Sequence, residues 1–163
     1  MIIGSTGLKQ VCMVTWDLAL AEKRWSTILG IPAEHLTTPP WQEVPSFTNG
    51  KADCFHEPFI LFRLANDVIL EIFGPGESKN NPWRQYLEKY GEGVMNFGFY
   101  VEEGREEAYR QIGLVSEAKQ PYHEGFYPTA SYTFVDTKKE LGVELNIKRE
   151  EDNAEKIASL VQK

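Results

Sequence analysis

The hydrophobic and polar positions of this chain follow one pattern that occurs twice. Residues 10–17 alternate apolar with polar side chains and end on an acidic residue, and residues 96–103 do the same. An amphipathic segment follows each of these stretches. The two halves also end alike, because residues 68–73 match residues 143–148 in pattern. A repeat of this kind predicts two copies of one structural unit that enclose a shared space.

The first copy predicts a strand, a helix and then a long loop. Alternation favours a strand at residues 8–16. Asp17 can cap a helix whose apolar stripe ends at Gly30. Residues 37–52 are rich in Thr, Pro, Gly and Asn, which predicts a loop with at most a poor strand. A loop of this length often covers a site.

A short helix joins the two copies. Pro82 at its start and Gly91 at its end predict a helix at residues 82–90. An aromatic-rich stretch at residues 121–127 is interpreted as a loop that closes over a cavity. The other predicted elements are strands at 58–64, 68–73, 94–101, 115–119, 130–135 and 143–147, and helices at 104–112 and 149–163.

Composition limits the class of protein. With 163 residues and 42% hydrophobic content, the chain can bury one core, which predicts a single globular domain. A net charge of -7 argues against a nucleic-acid partner. No apolar stretch approaches the ~20 residues that span a bilayer, so a soluble cytoplasmic protein is expected. Cys12 and Cys54 are interpreted as reduced core residues.

Several short motifs together resemble the vicinal oxygen chelate superfamily. Phe73-Gly74-Pro75 followed by residues 82–94 resembles the linker of that family. The opening strand with its helix, and residues 132–136 with residues 141–143, resemble its first and last elements. The resemblance covers nearly the whole chain. It is greatest to methylmalonyl-CoA epimerase and glyoxalase I-like proteins.

The resemblance implies an α+β fold in which paired βαβββ modules form a half-open barrel around a divalent metal, often in a homodimer. The expected boundaries are 7–76 for the first module, 77–92 for the linker helix, 93–149 for the second module and 150–163 for a C-terminal helix.

The family's metal-ligand positions fall on four polar residues. These are Gln10, Glu71, Asn96 and Asn146, with Glu144 as the alternative in another register of the last strand. Each lies opposite the apolar face of its strand, which predicts that all four point into the barrel. The family usually has histidine at the first and third positions and glutamate at the fourth. Neutral amides and one carboxylate argue against tight zinc, nickel or iron, so no cofactor is assigned and a hard ion such as magnesium stays open.

The remaining candidates belong to substrate contacts. His35 is expected at the surface, and His56 is expected near Cys54. His123 and Tyr127 lie in the aromatic-rich stretch and are candidate substrate or acid/base residues. Trp16, Trp41, Tyr100 and Tyr127 could line the inner face and bind an aromatic or apolar ligand.

Two functions follow from these residues. The first is an isomerase or lyase acting on a small keto or acyl substrate, with Glu71 as base, Glu144 next in line, and the amides as oxyanion donors. The second is a metal-free protein that sequesters a small molecule on the same scaffold. The sign of any shift in the Glu71 pKa is open, because burial raises it and amide hydrogen bonds lower it.

Overall fold

The computed structural model describes residues 5–53, 56–102 and 104–162, and it joins the strands into one large curved sheet. Cys54 falls outside these residues. The strands are β1 (Ser5–Val14), β2 (Glu34–Thr37), β3 (Ser46–Thr48), β4 (Lys51–Ala52), β5 (Pro58–Arg63), β6 (Ile69–Phe73), β7 (Gly93–Val101), β8 (His123–Tyr127), β9 (Ala130–Val135) and β10 (Glu144–Glu150). The helices are α1 (Leu18–Leu29), α2 (Pro82–Tyr90), α3 (Arg105–Ile112), α4 (Lys138–Leu141) and α5 (Ala154–Val161). Within this described part, no helix is both long and apolar enough to cross a membrane.

The sheet consists of two similar halves. Its order is β2-β5-β6-β1 followed by β7-β10-β9-β8, and the β3-β4 hairpin extends the second half. Apart from the β3-β4 hairpin and the short helix α4, each half follows the chain order strand, helix, strand, strand, strand. At the centre, β1 and β7 are antiparallel, and Gln10 pairs with Gly98 while Cys12 pairs with Asn96. This reciprocal register relates the two halves by an approximate two-fold axis, as the repeat predicts.

The convex face of the sheet is apolar and lies under the helices. On the first half, Leu70 and Ile72 pack with the apolar stripe of α1. On the second half, Leu145 and Ile147 pack against Ala108 and Ile112 of α3. Because strand side chains alternate, the residues between them must face the concave side. The predicted faces of these strands are confirmed.

The predicted helix ends are also confirmed. The Asp17 side chain accepts a hydrogen bond from the Leu20 amide at the start of α1, and Gly30 ends the helix in the left-handed region. Asn81 caps α2, with Pro82 in its first turn and Gly91 at its end. Helix α2 inserts Trp83, Tyr86 and Leu87 into a buried cluster with Cys12, Val14, Phe73, Met95 and Phe134. This cluster fills part of the barrel interior.

Three predicted elements differ from the structure. The strand expected at 115–119 is wrong: Leu114 and Val115 follow α3 in a turn and are 68% and 63% exposed, and no described strand pairs with this segment. The strand lies instead at β8, where a loop was expected, because β9 and β3 supply partners on both sides. Strand β10 extends to Glu150, so the last helix is shorter than predicted.

The long loop contains more structure than its composition predicts. Asn49 and Gly50 both have positive φ, 51° and 73°, which suits the tight turn of a two-residue hairpin. The hairpin joins β3 to β4, and β3 pairs with β8 of the second half. The first half thus contributes a strand to the edge of the second half.

Candidate functional site

The concave face of the sheet holds a cavity between the two halves. Its volume is about 70 Å³, which is room for a few water-sized groups. Residues 37–52 form a covering segment over this cavity. Its lining residues are Thr38, Pro39, Val44 and Ser46. This cover is held by the β3 pairing and by the Phe126 amide, which donates to the Pro45 carbonyl at 3.0 Å. This arrangement agrees with the expectation that the long segment at residues 37–52 covers a site.

Gln10 and Glu71 form the polar centre of the cavity. The Gln10 Nε2 group donates a hydrogen bond to Glu71 Oε2. Burial raises the pKa of Glu71, and this effect outweighs the opposing effects of the Lys148 charge and the Gln10 hydrogen bond. The structure therefore gives the direction of the shift in the Glu71 pKa, which the sequence left open. A carboxyl group with a raised pKa is better matched to proton transfer near neutral pH.

Lys148 brings a positive charge to the same cavity. It lies on β10, two residues beyond Asn146, so both side chains face inward. Gly98 leaves room for this arrangement: a Cβ there would lie 2.8 Å from Gln10 Cβ and 3.4 Å from Lys148 Cε. Among the described residues, Lys148 forms no ion pair. Its charge is therefore available to an anion or to a developing oxyanion.

Asn146 also lines the cavity, whereas Asn96 and Glu144 do not. The Asn146 Oδ1 atom is buried with no hydrogen-bond partner. Asn96 pairs with Cys12 and Glu144 across neighbouring strands, and both of its amide atoms are buried without a partner. Glu144 lines a separate cavity of about 220 Å³ beside α2, where Tyr122 donates to its carboxylate at 2.7 Å. Burial raises the pKa of Glu144 to about 8.

The aromatic lining differs from the predicted one. Of the four predicted aromatic residues, Tyr127 lines the cavity. Trp16 is 50% exposed, Trp41 packs edge-on against Phe47 in the covering segment, and Tyr100 lines a separate depression with Lys9 and Glu150. The other aromatic residues that line the cavity are Phe59, Phe73, Trp83, Tyr132 and Phe134.

The histidines lie away from the polar centre. His35 is exposed and pairs with Glu22 at 2.9 Å, as expected for a surface residue. His56 is also exposed. His123 is 1% exposed and lies on β8, with its ring behind that of Tyr132. Sequence reasoning placed His123 among the substrate contacts but missed Tyr132 and Lys148, although alternation alone puts both on the inner face.

The residues at the four family positions do not suit a divalent metal. Three are neutral amides, Asn96 lies outside the cavity, and the Glu71 carboxylate already accepts from Gln10. The Lys148 ammonium would repel a cation at this point. Among the described residues, no group of three or more His, Cys, Asp or Glu side chains is placed to hold a metal ion. The positive charge that the structure places in this cavity is that of the Lys148 ammonium.

Comparison with known proteins identifies the fold. No family model and no curated protein match the chain. A variant of methylmalonyl-CoA epimerase from Streptomyces coelicolor, in complex with 2-nitronate-propionyl-CoA, is similar at TM-score 0.56 and 16% identity, over 90% of this chain and 95% of that chain. The enzyme of the same name from Mycobacterium tuberculosis has TM-score 0.56 and 15% identity over 96% of this chain and 93% of that one.

A third structure, the hypothetical protein BH1468 from Bacillus halodurans C-125, has TM-score 0.55 and 15% identity over 91% of this chain and 96% of that chain. At such identities the similarity establishes the fold and leaves the reaction open. The fold is that of the vicinal oxygen chelate proteins, and the predicted class of paired βαβββ modules in a half-open barrel is confirmed.

Proposed function

We propose that this protein is an isomerase or lyase that moves a proton at the carbon next to the carbonyl of a small keto or acyl substrate. The observation that supports it is the state of Glu71. This residue is the one carboxylate among the described residues lining the cavity, and burial raises its pKa. General acid and base catalysis is most effective when the catalytic pKa lies near the working pH.

The neighbours of Glu71 suit the charge that forms in such a reaction. When the base removes the proton, negative charge develops on the carbonyl oxygen of the substrate. The Lys148 ammonium and the Asn146 amide line the same cavity and can stabilise that oxygen. Gln10 holds the carboxylate in place by its hydrogen bond. These side chains carry out the steps without a divalent metal.

The size of the cavity limits the reacting part of the substrate. About 70 Å³ admits a short keto or acyl group, well below the volume of a drug-sized site. The solved epimerase complex contains a CoA thioester, and a short acyl thioester therefore belongs among the compounds to test. A homodimer remains a prediction from the resemblance, and a cytoplasmic location remains a prediction from the pattern of apolar residues along the chain.

The experiment that tests this function is hydrogen exchange at the α-carbon. Short 2-oxo acids and N-acetylcysteamine thioesters of short carboxylic acids are incubated with the protein in deuterium oxide, and proton NMR follows the loss of the α-hydrogen. We expect exchange with the wild type and a loss of about 10³-fold in Glu71→Gln. The matched control is Glu144→Gln, which removes a buried carboxylate outside this cavity and should retain the rate within about threefold.

Full exchange in Glu71→Gln would contradict the role of Glu71. If Glu144→Gln is then inactive, the base is Glu144 and the cavity beside α2 is the active site.

Ligand sequestration is the second candidate, and the aromatic lining favours it. Phe59, Phe73 and Trp83 stack in a row, with ring centroids 4.5 Å and 3.9 Å apart. Such a wall buries an apolar ligand well. Saturable binding by calorimetry without exchange of the α-hydrogen would favour sequestration over catalysis.

A further inference from the structure

We propose that Tyr132 is a second proton-transfer group of this cavity, linked through His123 and Thr48 to the buried carboxylate of Asp53. This inference rests on the proposed function, because it supplies the group that exchanges a proton with the substrate face opposite Glu71. It also predicts the class of reaction, which is inversion of a stereocentre next to a carbonyl.

The hydrogen bonds that link Tyr132 to Asp53 all donate in the direction of Asp53. Thr48 Oγ1 donates its proton to Asp53 Oδ2 and lies 2.7 Å from His123 Nδ1. A hydroxyl has one proton, so Thr48 must accept from His123 Nδ1–H. This fixes the tautomer of the ring and leaves Nε2 as an acceptor. The Tyr132 hydroxyl lies 3.2 Å from Nε2 and donates to it.

Burial keeps these hydrogen-bonded residues out of water and sets their protonation state at rest. Thr48, Asp53 and His123 are 0%, 3% and 1% exposed. Burial lowers the pKa of His123 and raises that of Tyr132, so at rest the ring is neutral, the phenol keeps its proton and Nε2 accepts the hydrogen bond from it. The Asp53 carboxylate also accepts from Asn80 Nδ2, which holds it in place. A charged His123 ring would be stabilised by this nearby carboxylate, whose Oδ2 lies 3.4 Å from Nδ1.

Gly125 leaves the space that the Tyr132 ring occupies. Gly125 pairs with Tyr132 across β8 and β9. A Cβ at Gly125 would lie 2.3 Å from Tyr132 Cε1 and 2.7 Å from its hydroxyl oxygen. Only glycine leaves this space, and it lets the ring lie flat on β8 beside His123. The contact is thus built into the strand pairing and does not depend on a freely moving side chain.

Tyr132 and Glu71 lie on opposite walls of the cavity. Tyr132 is on β9 and Glu71 is on β6, with three strands of the curved sheet between them, and both side chains line the cavity. A substrate bound between the walls would present one face to each group. Two proton-transfer groups on opposite faces are what inversion of a carbon centre requires.

The proton balance of the step is complete. With Glu71 protonated and His123 neutral, the Tyr132 oxygen takes the α-hydrogen as a proton while its own proton passes to His123 Nε2. The electrons of the broken C–H bond form the enolate, whose oxygen faces Lys148. Glu71 then donates its proton to the opposite face of the carbon. The product state has ionised Glu71 and charged His123, and the reverse reaction starts from it.

The test compares inversion with exchange. The probes are the two enantiomers of a chiral 2-methyl acyl thioester of N-acetylcysteamine, assayed separately, and NMR follows α-hydrogen exchange while chiral chromatography follows inversion. In Tyr132→Phe we expect inversion to fall by about 10²-fold or more, while the enantiomer whose α-hydrogen faces Glu71 still exchanges within about threefold of wild type. Tyr109→Phe is the matched control, since the Tyr109 hydroxyl lies 2.8 Å from Thr133 Oγ1 and Tyr109 does not line this cavity, so inversion and exchange should both be retained.

A second measurement does not depend on turnover. Nitrogen NMR of histidine-labelled protein should show His123 with a protonated Nδ1 and an unprotonated Nε2, and Tyr132→Phe should shift the Nε2 signal. A protonated Nε2, or a Tyr132→Phe variant that inverts like the wild type, overturns this inference and leaves the role of Glu71 intact. A wild type that exchanges no α-hydrogen contradicts the proposed function and this inference with it.

Discussion

The two halves of the barrel place different side chains at equivalent positions. Phe73 lies two residues beyond Glu71 on β6 and pairs with Phe59. At the matching places of the second half, Lys148 lies two residues beyond Asn146 and pairs with Tyr132. One wall of the cavity is therefore a stack of aromatic rings, whereas the other carries an ammonium and a phenol. The repeated backbone supplies equal positions, and at this pair of positions the first half has two aromatic rings where the second half has an ammonium and a phenol.

A second difference concerns how well the polar groups are satisfied. Gln10 and Asn96 are equivalent, and Gln10 reaches Glu71 whereas the shorter Asn96 makes no hydrogen bond through either amide atom. Buried polar atoms without partners each cost about 1–3 kcal/mol. The interior of the second half is thus kept polar at a cost in stability, which is typical of sites that serve function.

The largest effect should come from the aromatic wall. Trp83 is 4% exposed and stacks on Phe73 at 3.9 Å. Trp83→Ala would leave a cavity in this cluster, and we expect the free energy of unfolding to fall by about 3–5 kcal/mol. Urea titration followed by circular dichroism measures it. The half-exposed Trp16 is the control, and Trp16→Ala should change stability by less than about 1 kcal/mol.

If Trp83→Ala lowers the free energy of unfolding no more than Trp16→Ala does, the aromatic wall does not stabilise the fold as proposed. The aromatic wall would then be a ligand surface more than a packing element, and sequestration would gain support.

The next effect concerns the charge on the opposite wall. Lys148→Met keeps the length of the side chain and removes the ammonium from the cavity. We expect α-hydrogen exchange to slow by about 10²-fold, because the oxyanion loses its nearest positive charge. Since the Lys148 charge lowers the pKa of Glu71, its removal should also move the basic form of Glu71 to higher pH. The pH profile of exchange measures this shift.

Lys89→Met is the matched control, because Lys89 lines the other cavity and pairs with Asp136. An unchanged rate and pH profile in Lys148→Met would show that Lys148 takes no part in the reaction.

Much of the fold could be predicted because its signals are local. Asp17 and Gly30 mark the ends of α1, and Pro82 and Gly91 mark those of α2. Alternation placed Gln10 and Glu71 on the inner face, and the parallel pairing of β1 with β6 then brings them together. The covering hairpin carries a local signal too, in Asn49-Gly50, although the surrounding polar residues concealed it.

The proton-transfer chain could not be predicted, since it depends on distant pairings. Thr48 and His123 are 75 positions apart and meet only because β3 crosses from the first half to pair with β8. Nothing in the composition of residues 37–52 indicates that partner. Lys148 was accessible to sequence reasoning, because it shares a face with Asn146. A lysine near the end of a strand usually lies in solvent, and this preference concealed it.

A smaller effect should follow from the buried carboxyl group of the second half. Glu144 takes the place that Ile69 has in the first half, and its pKa is raised to about 8. A raised pKa contributes stability at low pH that is lost as the pH rises through the folded value. We expect the free energy of unfolding to fall by roughly 2 kcal/mol between about pH 5 and pH 9. Denaturant titration at several pH values measures it.

Glu144→Gln keeps an acceptor for the Tyr122 hydroxyl but cannot ionise, so its free energy of unfolding should fall less than that of the wild type over this range. Glu71, whose pKa is also raised, contributes to the decline that remains. The exposed Glu88→Gln should follow the wild type. A Glu144→Gln variant with the same decline as wild type would show that another group titrates in this range.

The smallest expected effect is the response to divalent ions. Gln10, Glu71 and Asn146 stand at positions that the resemblance assigns to metal ligands, and Lys148 brings a positive charge to the same cavity. Magnesium, manganese, nickel and zinc should therefore shift the melting temperature of the wild type by less than about 1 °C, because a ligand stabilises only what it binds. Asn146→Glu combined with Lys148→Met removes the repulsion and adds a carboxylate, and this variant should gain a saturable shift with manganese or zinc. A saturable shift in the melting temperature of the wild type would mean that the Lys148 side chain moves aside and the ion binds in the cavity. The two walls would then share a metal ion, and their different charges would not explain the chemistry.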